Sequence, residues 1–182
     1  MILKILQEPH KILRETAREI KPEEIKSRSI QDLLKDMSET LGVIDIGVGL
    51  AAPQVGKPLR IFLVSEEAKA AKTPRDRISG KKRNWKHLFF INPKIIRISK
   101  EKELLPEGCL SVDKLYGQIG RAKKLVVEAL NEEGKKFRRS ASGLFAQVIQ
   151  HETDHLNGIL FIDKAKNLKR LDEKTENGDE KN

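Results

Sequence analysis

The run Gln150-His151-Glu152-Thr153-Asp154-His155 places two imidazoles and a carboxylate within an apolar, helix-like stretch. An α-helix turns about 100° per residue. His151 and His155, four apart, therefore share a face and can hold one metal ion from one side. Glu152 is one step round the helix, where a carboxylate suits a base beside a bound water better than a third ligand. The chain has four histidines in all, and His10 and His87 fall in no ligand-like pattern. Phe161 stands where the longer zinc-peptidase motif H-E-x-x-H-x-x-G-x-x-H has its third histidine. Glu173 and Glu176 lie in a charged tail with no apolar pattern to fix them. The missing ligand is therefore expected upstream.

Cys109 is the single cysteine and sits in Glu107-Gly108-Cys109-Leu110-Ser111. A lone cysteine makes no internal disulfide. Pro106 and Gly108 place it in what reads as an irregular segment. A thiolate with two neutral imidazoles makes a three-ligand site with one position open for water, which separates a catalytic centre from a closed structural one.

A third segment, Gly47-Val48-Gly49-Leu50-Ala51-Ala52-Pro53-Gln54, lacks the last glycine and the helix opening of a dinucleotide fingerprint. Its glycines are better read as main chain that must pass close to something, since glycine approaches without a side-chain clash. Gln54 ends the run as a neutral donor.

The elements that must position these residues follow from periodicity. Ile30, Leu33, Leu34, Met37 and Leu41 recur at helical spacing and predict an amphipathic helix over 23–41, with Gly42 as a stop. Strands are expected at 59–64, 88–91 and 95–98, a polar loop over 66–87, and a hairpin pairing 125–130 with 135–139. Ser140 or Ser142 can cap a last helix running to about 156, with Gly158 as its stop. On that helix Leu144, Val148, His151 and His155 form one stripe. Phe145, Ile149 and Leu156 form a second, so the helix is expected to be buried.

With 182 residues the chain is expected to form one domain, large enough to bury a core without staples. No run approaches the ~20 apolar residues of a membrane span. A leaderless chain with one cysteine points to the cytoplasm. The net charge is +9; in 163–182 six basic and six acidic residues cancel, so the excess lies in 1–162. The loop 66–87 alone holds eight Lys/Arg against three Asp/Glu. Such a stretch reads as a solvated insertion or, through Lys81-Lys82-Arg83 and Trp85, as a transient contact with ribosomal RNA. Residues 166–182 read as a charged, frayed tail.

Taken in order, the three segments resemble the three signature motifs of the peptide deformylase family. Ile91-Asn92-Pro93, Arg121-Ala122 and Leu156-Asn157-Gly158-Ile159-Leu160-Phe161-Ile162-Asp163 extend the similarity to about residues 2–165, which read as the deformylase domain. The resemblance implies an α+β fold whose antiparallel or mixed sheets enclose a central helix carrying the H-E-x-x-H. It implies that Cys109, His151 and His155 bind one divalent metal, with water in the fourth position. Fe2+ is expected, with Zn2+, Ni2+ or Co2+ also compatible with a thiolate–imidazole set. Glu152 would move the proton while water attacks the formyl group of a nascent formyl-Met peptide. Gln54 and the N–H of Leu110 would stabilise the oxyanion. Val48, Gly49, Leu50, Glu107, Gly108, Tyr116, Leu144, Gln147 and Val148 would bind the peptide, Gly49 by aligning it as an added strand. Glu107 and Arg121 would support the site. Tyr116, Gln147 and Asp113 depart from the Arg, aliphatic residue and Pro frequent at these positions, which bears on the pocket rim and not on the reaction. A monomer is expected.

Two other classes are less well served by the residues. A metallopeptidase cutting internal bonds would leave Cys109 without a role. A basic RNA-binding module with a structural metal would need a fourth protein ligand.

Overall fold

The computed structural model describes residues 1–45, 47–69 and 86–171. Strands β1 (Gly49–Ala51), β2 (Ile61–Ser65), β3 (His87–Ile98), β6 (Lys124–Leu130) and β7 (Lys136–Ser142) form one antiparallel sheet in the order β1-β2-β3-β6-β7. Strands β4 (Lys102–Cys109), β5 (Val112–Ala122) and β8 (Lys166–Arg170) form a second, ordered β4-β5-β8. Helices α1 (Pro22–Ile25), α2 (Arg28–Gly42) and α3 (Gly143–Leu156) complete the regular structure among the described residues, apart from short 3-10 turns. The architecture is α+β with antiparallel sheets.

Strand β2 shows how the core is divided. All five of its residues are buried, and successive side chains of a strand point to opposite faces. Ile61 and Leu63 join Leu33, Leu34, Met37 and Leu41 of α2. Phe62 and Val64 join Leu144, Phe145, Val148 and Ile149 of α3. The larger sheet is thus covered by a helix on each face. A third cluster, Leu13, Val112, Leu160 and Phe161, lies under the smaller sheet.

The expected helix over 23–41 divides in two. Ser27 adopts an extended conformation and its side chain accepts from Ile30 N–H at 3.4 Å, starting α2 afresh. The two strands expected at 88–91 and 95–98 are one strand, β3, which crosses Asn92-Pro93 with register shifts. Asn92 takes φ 49° there, and its side chain bonds both N–H and C=O of Ile20.

Cys109 does not lie in an irregular segment: it is the last residue of β4, at a register shift beside Gly108. Pro106 is tolerated because β4 is an edge strand, where a missing N–H breaks no ladder bond. Lys166–Arg170, the start of the expected tail, pair with β5 through Leu115↔Arg170 and Tyr116↔Lys169. Residues 172–182 lie outside the described residues, as do 70–85 with Lys81, Lys82, Arg83 and Trp85. No helix among the described residues is long and apolar enough to cross a membrane.

Candidate metal centre

Two elements deliver the site. Helix α3 brings His151 and His155, and the end of β4 brings Cys109; one ligand atom from each lies within 4.8 Å of the others. Among the described residues this is the sole His/Cys/Asp/Glu group so placed. Cys109 Sγ is 3.2 Å from His155 Nε2, which is 3.2 Å from His151 Nε2. Metal bonds of about 2.0–2.1 Å to imidazole and about 2.3 Å to thiolate give tetrahedral edges of about 3.3–3.6 Å. The donor set and its spacing therefore fit a small divalent ion.

The helix is held against the smaller sheet by a side chain that imitates backbone. Gln150 accepts from Ala122 N–H and donates to Ala122 C=O, both at 3.0 Å. On the next residue, His151 Nδ1 meets Glu107 Oε1 at 2.6 Å. Glu107 also accepts from Arg121, Nη2 at 2.6 Å to Oε1 and Nε at 3.0 Å to Oε2, and Arg121 Nη1 reaches Asp154 at 2.7 Å. Lys164 closes the chain on the other oxygen of Asp154 at 2.7 Å. Burial alone would raise Glu107; hydrogen bonds from His151 and Arg121 outweigh it and hold the carboxyl at about 2. Glu107 is thus a fixed anion and His151 Nδ1 its donor. Although burial opposes it, hydrogen bonds to Cys109 and Glu107 hold the His151 imidazole well above its ordinary 6.5, and a bound metal would take the place of the Nε2 proton.

Glu152 is buried like Glu107 but differs from it in partners and in the direction of its shift. It is 3 % exposed, and its Oε2 has no partner among the described residues. Burial pushes its carboxyl up to about 7. His155 Nδ1 is likewise buried without a partner, and burial pulls that imidazole well below its ordinary 6.5. Gly49 of β1 runs directly alongside: a Cβ there would lie 2.5 Å from Glu152 Oε1 and 2.8 Å from Val148 Cγ1. The glycine run anticipated as close-passing backbone passes close to the carboxylate.

Gln54 lies in the 3-10 turn Ala52–Val55 after β1 and is 1 % exposed. Its Oε1 accepts from Ala51 N–H at 2.9 Å, which turns the amide nitrogen to Ser111 Oγ at 3.1 Å and Cys109 Sγ at 3.6 Å. Leu110 occupies the two-residue connection from β4 to β5, beside Cys109. Leu50 of β1 is fully buried, and Leu144 and Val148 are buried on α3, with Val48 packed against them. Gly108 pairs with Tyr116, whose ring lies where a Cβ would be, 2.7 Å away. Tyr116 itself is 38 % exposed. Gln147 donates to Pro106 C=O at 2.9 Å and to Glu107 at 3.3 Å.

The sequence-predicted residues therefore lie on α3, on β1 with the turn after it, or on the β4–β5 hairpin, except Val48, which immediately precedes β1. Asp154 and Ser111 were not anticipated. Asp154 carried a signal, since three residues beyond His151 it shares that side of the helix. Ser111 carried none.

The sequence profile described as Polypeptide deformylase matches residues 2–171. The chain belongs to the polypeptide deformylase family. Peptide deformylase of Pseudothermotoga lettingae is 38 % identical over 169 residues, 93 % of this chain and 85 % of that one. Peptide deformylase 1A, chloroplastic/mitochondrial, of Arabidopsis thaliana is 39 % identical over 155 residues, 84 % of this chain and 57 % of that longer one. Among solved structures, Met-Ala-Ser-bound class I type b peptide deformylase from Acinetobacter baumannii superimposes with a TM-score of 0.78 at 33 % identity, over 90 % of this chain and 98 % of that one. Deformylases are metal-dependent hydrolases that remove the N-formyl group from nascent polypeptides, and the Cys109, His151 and His155 cluster is a possible metal site of that kind.

Proposed function

We propose that this deformylase works at the Cys109–His151–His155 cluster on formyl-Met peptides, releasing formate and a free N-terminus. The observation that carries the proposal is the convergence of three ligand atoms within 4.8 Å, with a buried oxygen of the adjoining Glu152 that has no partner among the described residues. A divalent ion held there would supply Lewis acidity and bring the pKa of water towards ~7. Fe2+ is the metal we assign, one per chain, with Zn2+, Ni2+ and Co2+ as chemically compatible substitutes.

The chain's own residues supply the rest. Cys109 binds as thiolate, and His151 and His155 as neutral imidazoles through Nε2. Glu152, which burial raises to about 7 in the metal-free chain and which a neighbouring cation would bring down towards its ionised form, is the carboxylate placed to exchange protons. It takes the proton of the attacking water and returns one to the departing amine. The Gln54 amide and the Leu110 N–H donate to the formyl oxygen as it gains charge; one such donor is worth about 10²–10³ in rate. The peptide backbone lies along Gly49 on the open edge of β1. Its methionine side chain enters a pocket made by Val48, Leu144 and Val148, with the main chain of Leu50 beside Gly49 and with Glu107, Gly108, Tyr116 and Gln147 at the wall and rim.

In this reading α3 is the central helix that the sheets enclose, and residues 1–165 are the catalytic domain with 166–182 appended. The protein acts as a cytoplasmic monomer. The basic stretch 66–87 makes a transient ribosome contact that raises the local concentration of nascent chains.

The test is formate release from formyl-Met-Ala-Ser by protein purified without oxygen, with Glu152→Ala alongside. Release by the parent and loss in the variant, with metal retained, supports the reading. No release with iron, nickel, cobalt or zinc overturns it.

A further inference from the structure

The Gln147 amide is placed to set the metal ligands, although its position on α3 makes it look like pocket wall. It stands one helical turn before His151 and is 6 % exposed. Its Nε2 carries two hydrogens, and both have acceptors: Pro106 C=O at 2.9 Å and Glu107 Oε2 at 3.3 Å. These are consecutive residues of β4, one contributing backbone and the other side chain.

The Glu107 carboxylate explains what the second bond does. An ionised carboxylate has about four acceptor sites. His151 Nδ1 and Arg121 Nη2 take Oε1, each at 2.6 Å, and Arg121 Nε takes Oε2 at 3.0 Å. The Gln147 amide fills the one that remains. Arg121 comes from β5, so its two bonds fix the carboxylate relative to the smaller sheet. Gln147 is the donor that fixes it relative to α3 from a residue other than the ligand itself. Its bond to Pro106 C=O ties the β4 main chain to the same helix, three residues before Cys109.

We infer that Gln147 is a positioning residue for the three-ligand cluster: it locks β4 to α3, so that Cys109 and His151 keep their mutual geometry through Glu107. This rests on the metal-site reading above. It assigns the departure from an aliphatic residue at this position to ligand placement instead of side-chain selectivity. An aliphatic side chain there would leave Pro106 C=O and the fourth Glu107 site without this donor.

The test uses full-length cobalt-loaded protein, in which thiolate-to-cobalt absorption reports the cluster and its decay into a chelator gives the release rate. Gln147→Leu should release cobalt about tenfold faster than the parent, the low end for loss of a partner behind a metal ligand. Gln147→Glu should be faster still, because it sets a third acceptor against Glu107 and Pro106 C=O. Combined with Glu107→Gln, the leucine substitution should add less than twofold. Release within twofold of the parent in both single variants, with only KM changed, overturns the inference and returns Gln147 to the pocket wall. An undiminished effect of Gln147→Leu in the Glu107→Gln background overturns it as well. Should the leucine variant not fold, Gln147→Met keeps the unbranched length and carries the same comparison. A parent that holds cobalt through thiolate but releases no formate sinks the substrate reading alone, and the release rates still decide the role of Gln147.

Discussion

Glu107 Oε1 lies 2.6 Å from His151 Nδ1, joining the edge strand that ends in Cys109 to the helix that carries both histidines. A carboxylate behind an imidazole fixes its tautomer and raises its basicity as a ligand. Glu107→Gln keeps the shape but presents a neutral amide to Arg121 and His151. Metal affinity, read by competition with a chelator, should fall 10- to 100-fold. Arg121 would then be a buried cation with only Asp154 opposite it, so the variant should also unfold at lower denaturant. Unchanged affinity would mean that Glu107 serves the fold alone.

Gly49 and Glu152 make a second checkable pair. A methyl at residue 49 would stand 2.5 Å from Glu152 Oε1 and 2.8 Å from Val148 Cγ1. The carboxylate must swing away, and a displacement of about 1 Å can cost about 10² in rate. Gly49→Ala should lose about that factor in kcat/KM for formyl-Met-Ala-Ser while retaining its metal, since the atoms nearest the added methyl belong to Glu152 and Val148 and not to a ligand side chain. Parental activity in this variant would place the base or the peptide elsewhere.

What was legible in the sequence divides along physical lines. Helix α3 announced itself because one stripe carries apolar residues and ligands at the same spacing, and its bounds follow. The β4–β5 hairpin did not. Pro106 and Gly108 argue against a strand when read locally, and only the edge position of β4 makes them acceptable. Ser27 hid the break between α1 and α2, because a serine inside an apolar-periodic stretch interrupts no periodicity while still capping a new helix. The Arg121–Asp154–Lys164 chain was illegible for another reason: its ion pairs join residues 33 and 10 positions apart, and the helix face that Asp154 occupies does not say which cation meets it.

Buried Glu152 makes the metal-free protein pH-sensitive in a defined direction. Its folded value is about 7 against an ordinary 4.5. Between those values the folded chain holds a proton that the unfolded chain releases, so stability falls as pH rises through the window. The full change is on the order of 3 kcal/mol. Glu152→Gln does not titrate there, whereas His151 and His155 titrate in both proteins. In denaturant melts of metal-stripped protein, the variant's advantage over the parent should therefore grow from pH 4.5 to 7 and then level off. A difference independent of pH would show that the folded carboxyl keeps its ordinary affinity for protons.

The ribosome contact is a question of charge. Neutralising Lys81, Lys82 and Arg83 to Gln lowers the net charge of 66–87 from +5 to +2. Cosedimentation with ribosomes at low salt should weaken several-fold, with a shallower salt dependence, because each phosphate contact contributes a slope of roughly 0.7–0.9. Formate release from the short peptide should stay the same. Equal cosedimentation of the two proteins would end this proposal.

Metal removal separates the roles of ligand and fold. Cys109 ends β4, while His151 and His155 sit within α3, so an ion bound to all three joins the edge of the smaller sheet to the helix. Anything that binds only the folded chain stabilises it, by about 2.7 kcal/mol at a free concentration one hundred times Kd. Dialysis against a chelator should abolish formate release and lower Tm, and added Fe2+, Co2+ or Ni2+ should restore both. Cys109→Ser replaces a soft thiolate by a hydroxyl that is protonated at neutral pH, so metal addition should restore neither. The variant's Tm should then match that of the stripped parent, since serine fills nearly the same space. A Cys109→Ser protein that regained activity with metal would leave the two histidines as a sufficient site and remove Cys109 from the ligand set.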